Sequence, residues 1–536
     1  MNRAAPIRHR AVLVAFAASA LAALVAAAAY ASPGATEKAA ASGTLVIDTS
    51  FVVQTIDPQR MFEPTSQIAV KGMYDTLLTF RGGSTQPLPW LARSWKVSKD
   101  AKTITFNLRR NARFSDGSPV TAADVVFTYR RVINLKGSPS FLLAGVKVSA
   151  PNRYTVVLRS ATPNPALLRI VPNPSLGIVN SKLVKANGGT DAVGADKKDK
   201  AEPFLLRQSA GSGPYVLKSY SNKTQILLEA NPRFWGPKPK FQTIVIRNMP
   251  AATQLLNVQR GQNEIALDLS AQQATTLRGK SNVRVKTNAS PNLFNIDINT
   301  DPKIAPVAAN RNIQTAIRYA LDYPAFVKLS GPGAVQAPGM IPTTFIGHLP
   351  PSARIKRNLV KARAEVAKSG ISDPKITMTY PSELTVNGIS FATLAQKTKA
   401  NLADAGIEVT LVGKPVNAFL ETYAAGKHEM SQSYWGPDYP DPNDYLVFTP
   451  GGLAANRVNW GANDDPELAA LAKKAQRTVS DTQRAALFRQ IGRIMNQRAP
   501  FYPLFQPAQA IVSSSNLTNA TLGVIWPLDV RAVGSR

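Results

Sequence analysis

The sequence predicts an α/β protein of two or three domains, and three observations carry that expectation. The chain has 536 residues, several times the length that one hydrophobic core serves. Short β-branched runs alternate with segments of helical spacing. The clearest case is KITMTYP, a helix over 389–405 and then GIEVTLVGK, the strand–helix–strand order that builds partly parallel sheets. Strand-like sequence also returns late, as FYPLFQPAQAIV, so the C-terminus is expected to go back and complete the first domain.

The first thirty residues stand apart. Arg3, Arg8 and Arg10 form a basic head, an uncharged apolar run fills 11–30, and Ala29-Tyr30-Ala31 has the form of a signal-peptidase site. Residues 1–31 therefore read as a cleavable export signal, the other reading being an uncleaved membrane anchor. Residues 32–43 read as a flexible tether.

From there the elements follow in order. TLVIDTSFVV (44–53) is a strand ending in the turn TIDPQ. The stretch 102–132 divides into an alternating strand, a turn at Asp116-Gly117 and a helix capped by Thr121, with Val125, Val126, Tyr129 and Val132 on its apolar face. RYTVVLRS (153–160) fits the same sheet, and 161–212 reads as loops and short helices. GSGPYVLKSY, TQILLEANPRFW and FQTIVIRNM are strands, followed by a helix that stops at Gly261 and a short strand. Residues 312–321 are helical, 331–351 form a loop, and 466–498 is helical with a break near Ser480-Asp481.

Composition narrows the function. There is no cysteine, which excludes disulfides, thiolate metal sites, cysteine nucleophiles and a lipid-modified cysteine. Lys and Arg total 63 against 33 Asp and Glu, a net charge of +30, but the cations are scattered in ones and twos. Scattered charge describes a solvated surface better than a nucleic-acid stripe. His348 and His428 stand alone, without a second ligand at helical spacing, and read as surface or loop residues rather than metal ligands. No nucleophile elbow or phosphate cradle is present, so neither a catalytic centre nor a cofactor is expected. SYWGPDYPDPNDYL (433–446) is the most informative segment, too rich in proline for a regular helix or a clean strand. Its rings and carboxylates suit either a small-molecule site or a core with capped turns.

Four strings, in order, resemble one family: WLARSWKVSKDAKTITFNLRRNARFSDGSPVTAADVVFTYRRV (90–132), GSGPYVLKSY with NPRFWGPKPK (211–240), NIQTAIRYALD (312–322), and WGPDYPDP with RAALFRQIGRIMNQRAPFYPLFQP (484–507). They resemble the extracellular solute-binding proteins of family 5, the peptide and nickel class that serves ABC importers. The resemblance implies a two-lobed periplasmic-binding-protein fold (type II, cluster C) with an extra domain and a hinge. On that pattern, lobe one is 44–83, 205–290 and 500–536, the extra domain is 84–204, and lobe two is 291–499. It also implies an exported, monomeric receptor, periplasmic or secreted, that hands an oligopeptide or similar amine-bearing solute to a membrane permease, with no nucleic acid involved. An exported hydrolase or an envelope peptide chaperone or sensor on this fold is the alternative.

By position in the motif, Asp438 is expected to pair with the ligand's α-ammonium, and Tyr434, Trp435, Gly436 and Tyr439 to line the site. Phe51, Val52 and Val53 are expected to face the ligand from lobe one and Phe141 from the extra domain. The arginine with which relatives hold a peptide carboxylate is absent from HEMSQSYW and TYPSELTVNG. Glu383, if it faces the cleft, suits a cationic or amide-rich ligand.

Overall fold

The computed structural model describes residues 43–526 and 528–536. The export signal and all but the last residue of the tether lie outside the described residues.

Three sheets organise the chain. The first has seven strands, in the order Val283–Ala289, Ala508–Ser514, Glu264–Ala266, Thr44–Thr49, Thr243–Asn248, Gln225–Ala230 and Tyr215–Tyr220. Its central strand, Thr44–Thr49, runs parallel to both neighbours and buries Leu45 and Ile47 completely. The second sheet has six, in the order Val335–Gln336, Phe501–Gln506, Leu293–Ile298, Met430–Trp435, Lys375–Pro381 and Glu408–Lys414. Lys375–Pro381 and Glu408–Lys414 are parallel and joined through the helix Phe391–Ala403, the unit expected from their sequence. The third sheet, of four strands, is antiparallel: Ala92–Val97, Thr103–Leu108, Thr155–Ser160 and Val146–Asn152. On it packs the helix Ala122–Leu135, started by a reciprocal capping box between Thr121 and Asp124.

Two sequence expectations need correction. FYPLFQPAQAIV is not one strand. Pro507 has no N–H to donate to a ladder, and the run breaks there: Phe501–Gln506 pairs with Leu293–Ile298 in the second sheet, and Ala508–Ser514 with Val283–Ala289 in the first. Ser290–Asn292 make the matching passage on the partner strands. The Ser290 N–H donates to the Pro507 carbonyl at 2.7 Å, and the buried Gln506 amide donates to the Ser290 carbonyl at 2.8 Å. The two sheets are therefore joined by two crossings laid side by side.

The first strand also stops earlier than expected, at Thr49. Beyond it the backbone N–H of Ser50 donates to the Asp268 carboxylate and that of Phe51 to Asn248 Oδ1 at 3.0 Å. Side chains take the place of a ladder partner, so Phe51–Val53 form an irregular segment.

Candidate ligand-binding site

The segment 433–446 begins inside a sheet, contrary to the sequence reading. Ser433, Tyr434 and Trp435 end the strand Met430–Trp435, with Tyr434 opposite Phe294 and Trp435 opposite Leu293. The Tyr434 ring lies against Phe294 and Phe391, at 5.9 and 6.0 Å between centroids, and stays partly exposed. Gly436-Pro437 then turns the chain out of the sheet. A Cβ on Gly436 would come to 3.0 Å from Asn292 Oδ1, a tight contact that the Asn292 side chain would have to relieve by a small shift. Asn292 in turn donates to Asn387 Oδ1 at 2.9 Å.

The three aspartates of the segment divide their work. Asp444 is buried and accepts from Trp435 Nε1 at 3.2 Å and from the Asp438 N–H at 3.1 Å. Burial, and then the neighbouring Asp438 charge, push its carboxyl well above the usual range. Asp441 caps the 3₁₀ turn Pro442–Phe448 through the Asn443 N–H at 2.9 Å, and pairs with Arg484 and Arg169. Asp438 differs from both. Its carbonyl accepts from Asn173 Nδ2 at 3.2 Å, but its half-buried carboxylate has no hydrogen-bond or ion-pair partner among the described residues. Burial raises its pKa to about 6.

The site thus offers a fixed backbone, adjoining rings and one carboxylate that no described residue answers. The sequence profile of the bacterial extracellular solute-binding proteins, family 5, matches residues 86–455. The chain belongs to that family.

Curated relatives of this solute-binding protein include the probable D,D-dipeptide-binding periplasmic protein DdpA of Escherichia coli, 29% identical over 475 residues, covering 86% of this chain and 88% of that one. The dipeptide-binding protein DppE of Bacillus subtilis is 27% identical, covering 88% of each. Among solved structures, the Helicobacter pylori periplasmic binding protein DppA in complex with peptide STSA superposes with a TM-score of 0.74 at 23% identity, over 92% of this chain and 98% of that one. The Listeria monocytogenes substrate-binding protein CtaP gives 0.79 at 20% identity, over 92% and 99%. The fold is that of the periplasmic binding proteins.

The other expected residues of this solute-binding protein fall unequally. Val52 is 62% exposed and lines a cavity of about 300 Å³ together with Asn292 and Asn387. Val53, by contrast, is turned into the core of the first sheet and Phe51 packs against that core, so Val52 alone of the three presents its side chain to the cavity. Tyr439 rests on the core under the third sheet, as does Phe62, whose ring meets the exposed Phe141 edge-on at 5.6 Å. Glu383 is exposed in the link between Lys375–Pro381 and the hairpin Thr385–Ser390, and has no ion pair among the described residues.

His428 is a correction: it is a buried residue, 5.2 Å from the Tyr423 ring, and burial lowers its pKa to about 4. Among the described residues no group of three or more acidic or histidine side chains is placed to hold a metal ion.

Several residues of the site escaped the sequence reading. Asn387-Gly388 is a two-residue hairpin turn with both residues at positive φ, and the Asn-Gly pair in TVNGIS is its local signal. Asn173, Arg169 and Asn292 had no local signal, because each acts on a segment far away in sequence.

Proposed function

We propose that this solute-binding protein captures an oligopeptide or a similar amine-bearing solute between two lobes and delivers it to an ABC import permease from outside the cytoplasm. The observation that carries the reading is the Asp438 carboxylate, half-buried and without a partner among the described residues. A carboxylate in that state gains most from a ligand ammonium, since a charge removed from water needs an opposite charge beside it. The relatives' names supply the solute class: two of them are dipeptide-binding proteins, one called probable.

The lobes in this reading are 44–83 with 205–290 and 508–536 on one side and 291–506 on the other, with 84–204 as the extra domain; the pairing of Phe501–Gln506 moves that strand from the first lobe expected for it to the second. The paired crossings at Ser290–Asn292 and Pro507 serve as the hinge, and closure brings Asp438 over the ligand. The receptor acts as a monomer and performs no chemistry on its ligand.

The test is calorimetric titration of free-amine peptides, and of the same peptides N-acetylated, against the wild type and Asp438→Asn. The expected result is that the variant melts normally and loses tenfold or more in affinity for the free-amine set alone. Equal affinities for both sets in both proteins would sink the assignment.

A further inference from the structure

A second hollow adjoins the 435–440 segment. It has a volume of about 290 Å³, and its walls include Phe80, Trp90, Trp526 and Pro440, with Lys71 and Arg531 between them. Phe80 and Trp526 stack 5.6 Å apart with their planes 21° from parallel, and the Arg531 guanidinium lies over Trp90 at 4.8 Å. Two of the three cations in this wall are already answered, while the exposed Arg81 has no ion pair among the described residues. Lys71 Nζ sits 3.3 Å from Asp529, and Arg531 pairs with Asp529 at 2.8 Å and Asp75 at 3.6 Å. The cations that lie against the rings therefore ask for no charge from an occupant of the ring wall. One polar group remains open: Trp526 is 5% exposed, and its Nε1–H finds no acceptor among the described residues.

The position is as informative as the lining. Pro440 is two residues from Asp438, a separation of at most about 7–8 Å between Cα atoms. Gly523 and Ile525 line both this pocket and the cavity at Val52, so the two hollows share a wall.

We infer that this pocket is a specificity subsite that takes a neutral aromatic side chain of the captured peptide, ring against the Phe80–Trp526 wall and an adjoining carbonyl toward Trp526 Nε1. The inference rests on the peptide reading for the ligand's class. It departs from that reading in its chemistry, because stacking on uncharged rings is independent of the ammonium. The assigned preference is for peptides with an aromatic residue over those with small residues only.

The test uses N-acetylphenylalaninamide, which has a ring and carbonyls but no ammonium, with N-acetylalaninamide as its comparison. On the full chain, the phenylalanine probe should give a saturable change in tryptophan fluorescence at concentrations where the alanine probe gives none. Trp526→Leu and Phe80→Leu, each checked for an intact melting transition, should weaken it about tenfold, the scale of one lost ring contact with its buried area. No saturable response, an equal response to the alanine probe, or binding unchanged in both variants would overturn the subsite. Failure of the peptide reading would show elsewhere, as equal affinity of wild type and Asp438→Asn for free-amine peptides.

Discussion

Arg169, on the short helix Leu167–Ile170 beside the third sheet, reaches Asp441 of the 433–446 segment at 3.3 Å, across 272 residues of sequence. The same guanidinium pairs with Asp481 at 2.6 Å, and Arg484 pairs with both aspartates. Asn173, four residues on, holds the Asp438 carbonyl. One stretch beside the third sheet therefore holds the segment at Asp438 itself and again three residues on, at Asp441. Arg169 and Asp441 are buried, so removing one partner costs more than it would at a surface ion pair, while Asp481 is partly open to water.

Arg169→Met keeps the aliphatic bulk and removes the charge. Asp441 and Asp481 still have Arg484, so the protein should fold with a modest loss, about 1–3 kcal/mol. The larger effect falls on the closed arrangement. Ligand affinity should drop several-fold for every solute alike, and small-angle scattering of the unliganded variant should give a larger radius of gyration than the wild type. An unchanged radius with unchanged affinity would mean that this contact holds the fold and not the closure.

Much of the architecture was legible in the sequence, for reasons that are local. Burial on alternate residues marks Thr103–Leu108, and Thr121 with Asp124 marks the start of its following helix. Asp465, an aspartate directly before the helix Pro466–Arg477, caps it by accepting from the Leu468 N–H at 3.1 Å. What the residues alone did not disclose is long-range. Nothing near Arg169 announces Asp441, and nothing near Asn173 announces Asp438, since those pairings exist only once three separate chain segments meet. Pro507 is a different kind of miss. Proline in the middle of a predicted strand is itself a signal of a break, and the structure places the passage between two sheets there.

The pKa of Asp438 gives a pH signature. Burial raises it to about 6, above the roughly 3.9 of an unfolded aspartate. The folded protein then holds this proton more tightly than the unfolded chain does. Its contribution to stability is largest below pH 4, is lost as pH rises to about 6, and is flat above. An ammonium ligand needs the ionised form, so binding runs the other way. Affinity for free-amine peptides should be highest between about pH 7 and 8, fall toward tenfold per pH unit below 6, and fall again above the roughly 8 at which an α-amino group loses its proton, with proton release on binding near pH 6. Asp438→Asn should remove the slope, and the variant without ligand should melt higher than wild type at pH 7 but not at pH 4. Titrations in buffers of different ionisation enthalpy measure the proton directly, and a pH-independent wild-type affinity between 5 and 7 would contradict the ion pair.

Gln506 ties the two crossings together. Its side chain is fully buried, its Nε2 donates to the Ser290 carbonyl at 2.8 Å, and its Oε1 accepts from the Thr343 N–H at 2.9 Å. Ser290 is buried at the passage and Thr343 is half-buried in the loop after Val335–Gln336, so Gln506→Leu leaves a buried acceptor and a half-buried donor without partners. Each such group costs about 1–3 kcal/mol, and a combined loss of about 2–4 kcal/mol is expected in denaturant unfolding. The crossing should also loosen, and hydrogen exchange at Ser290 and Ala508, whose N–H groups bond across it to Pro507 and Ser330, should quicken before global unfolding. If those amides exchange at the wild-type rate while stability falls, Gln506 supports the surrounding core rather than the passage itself.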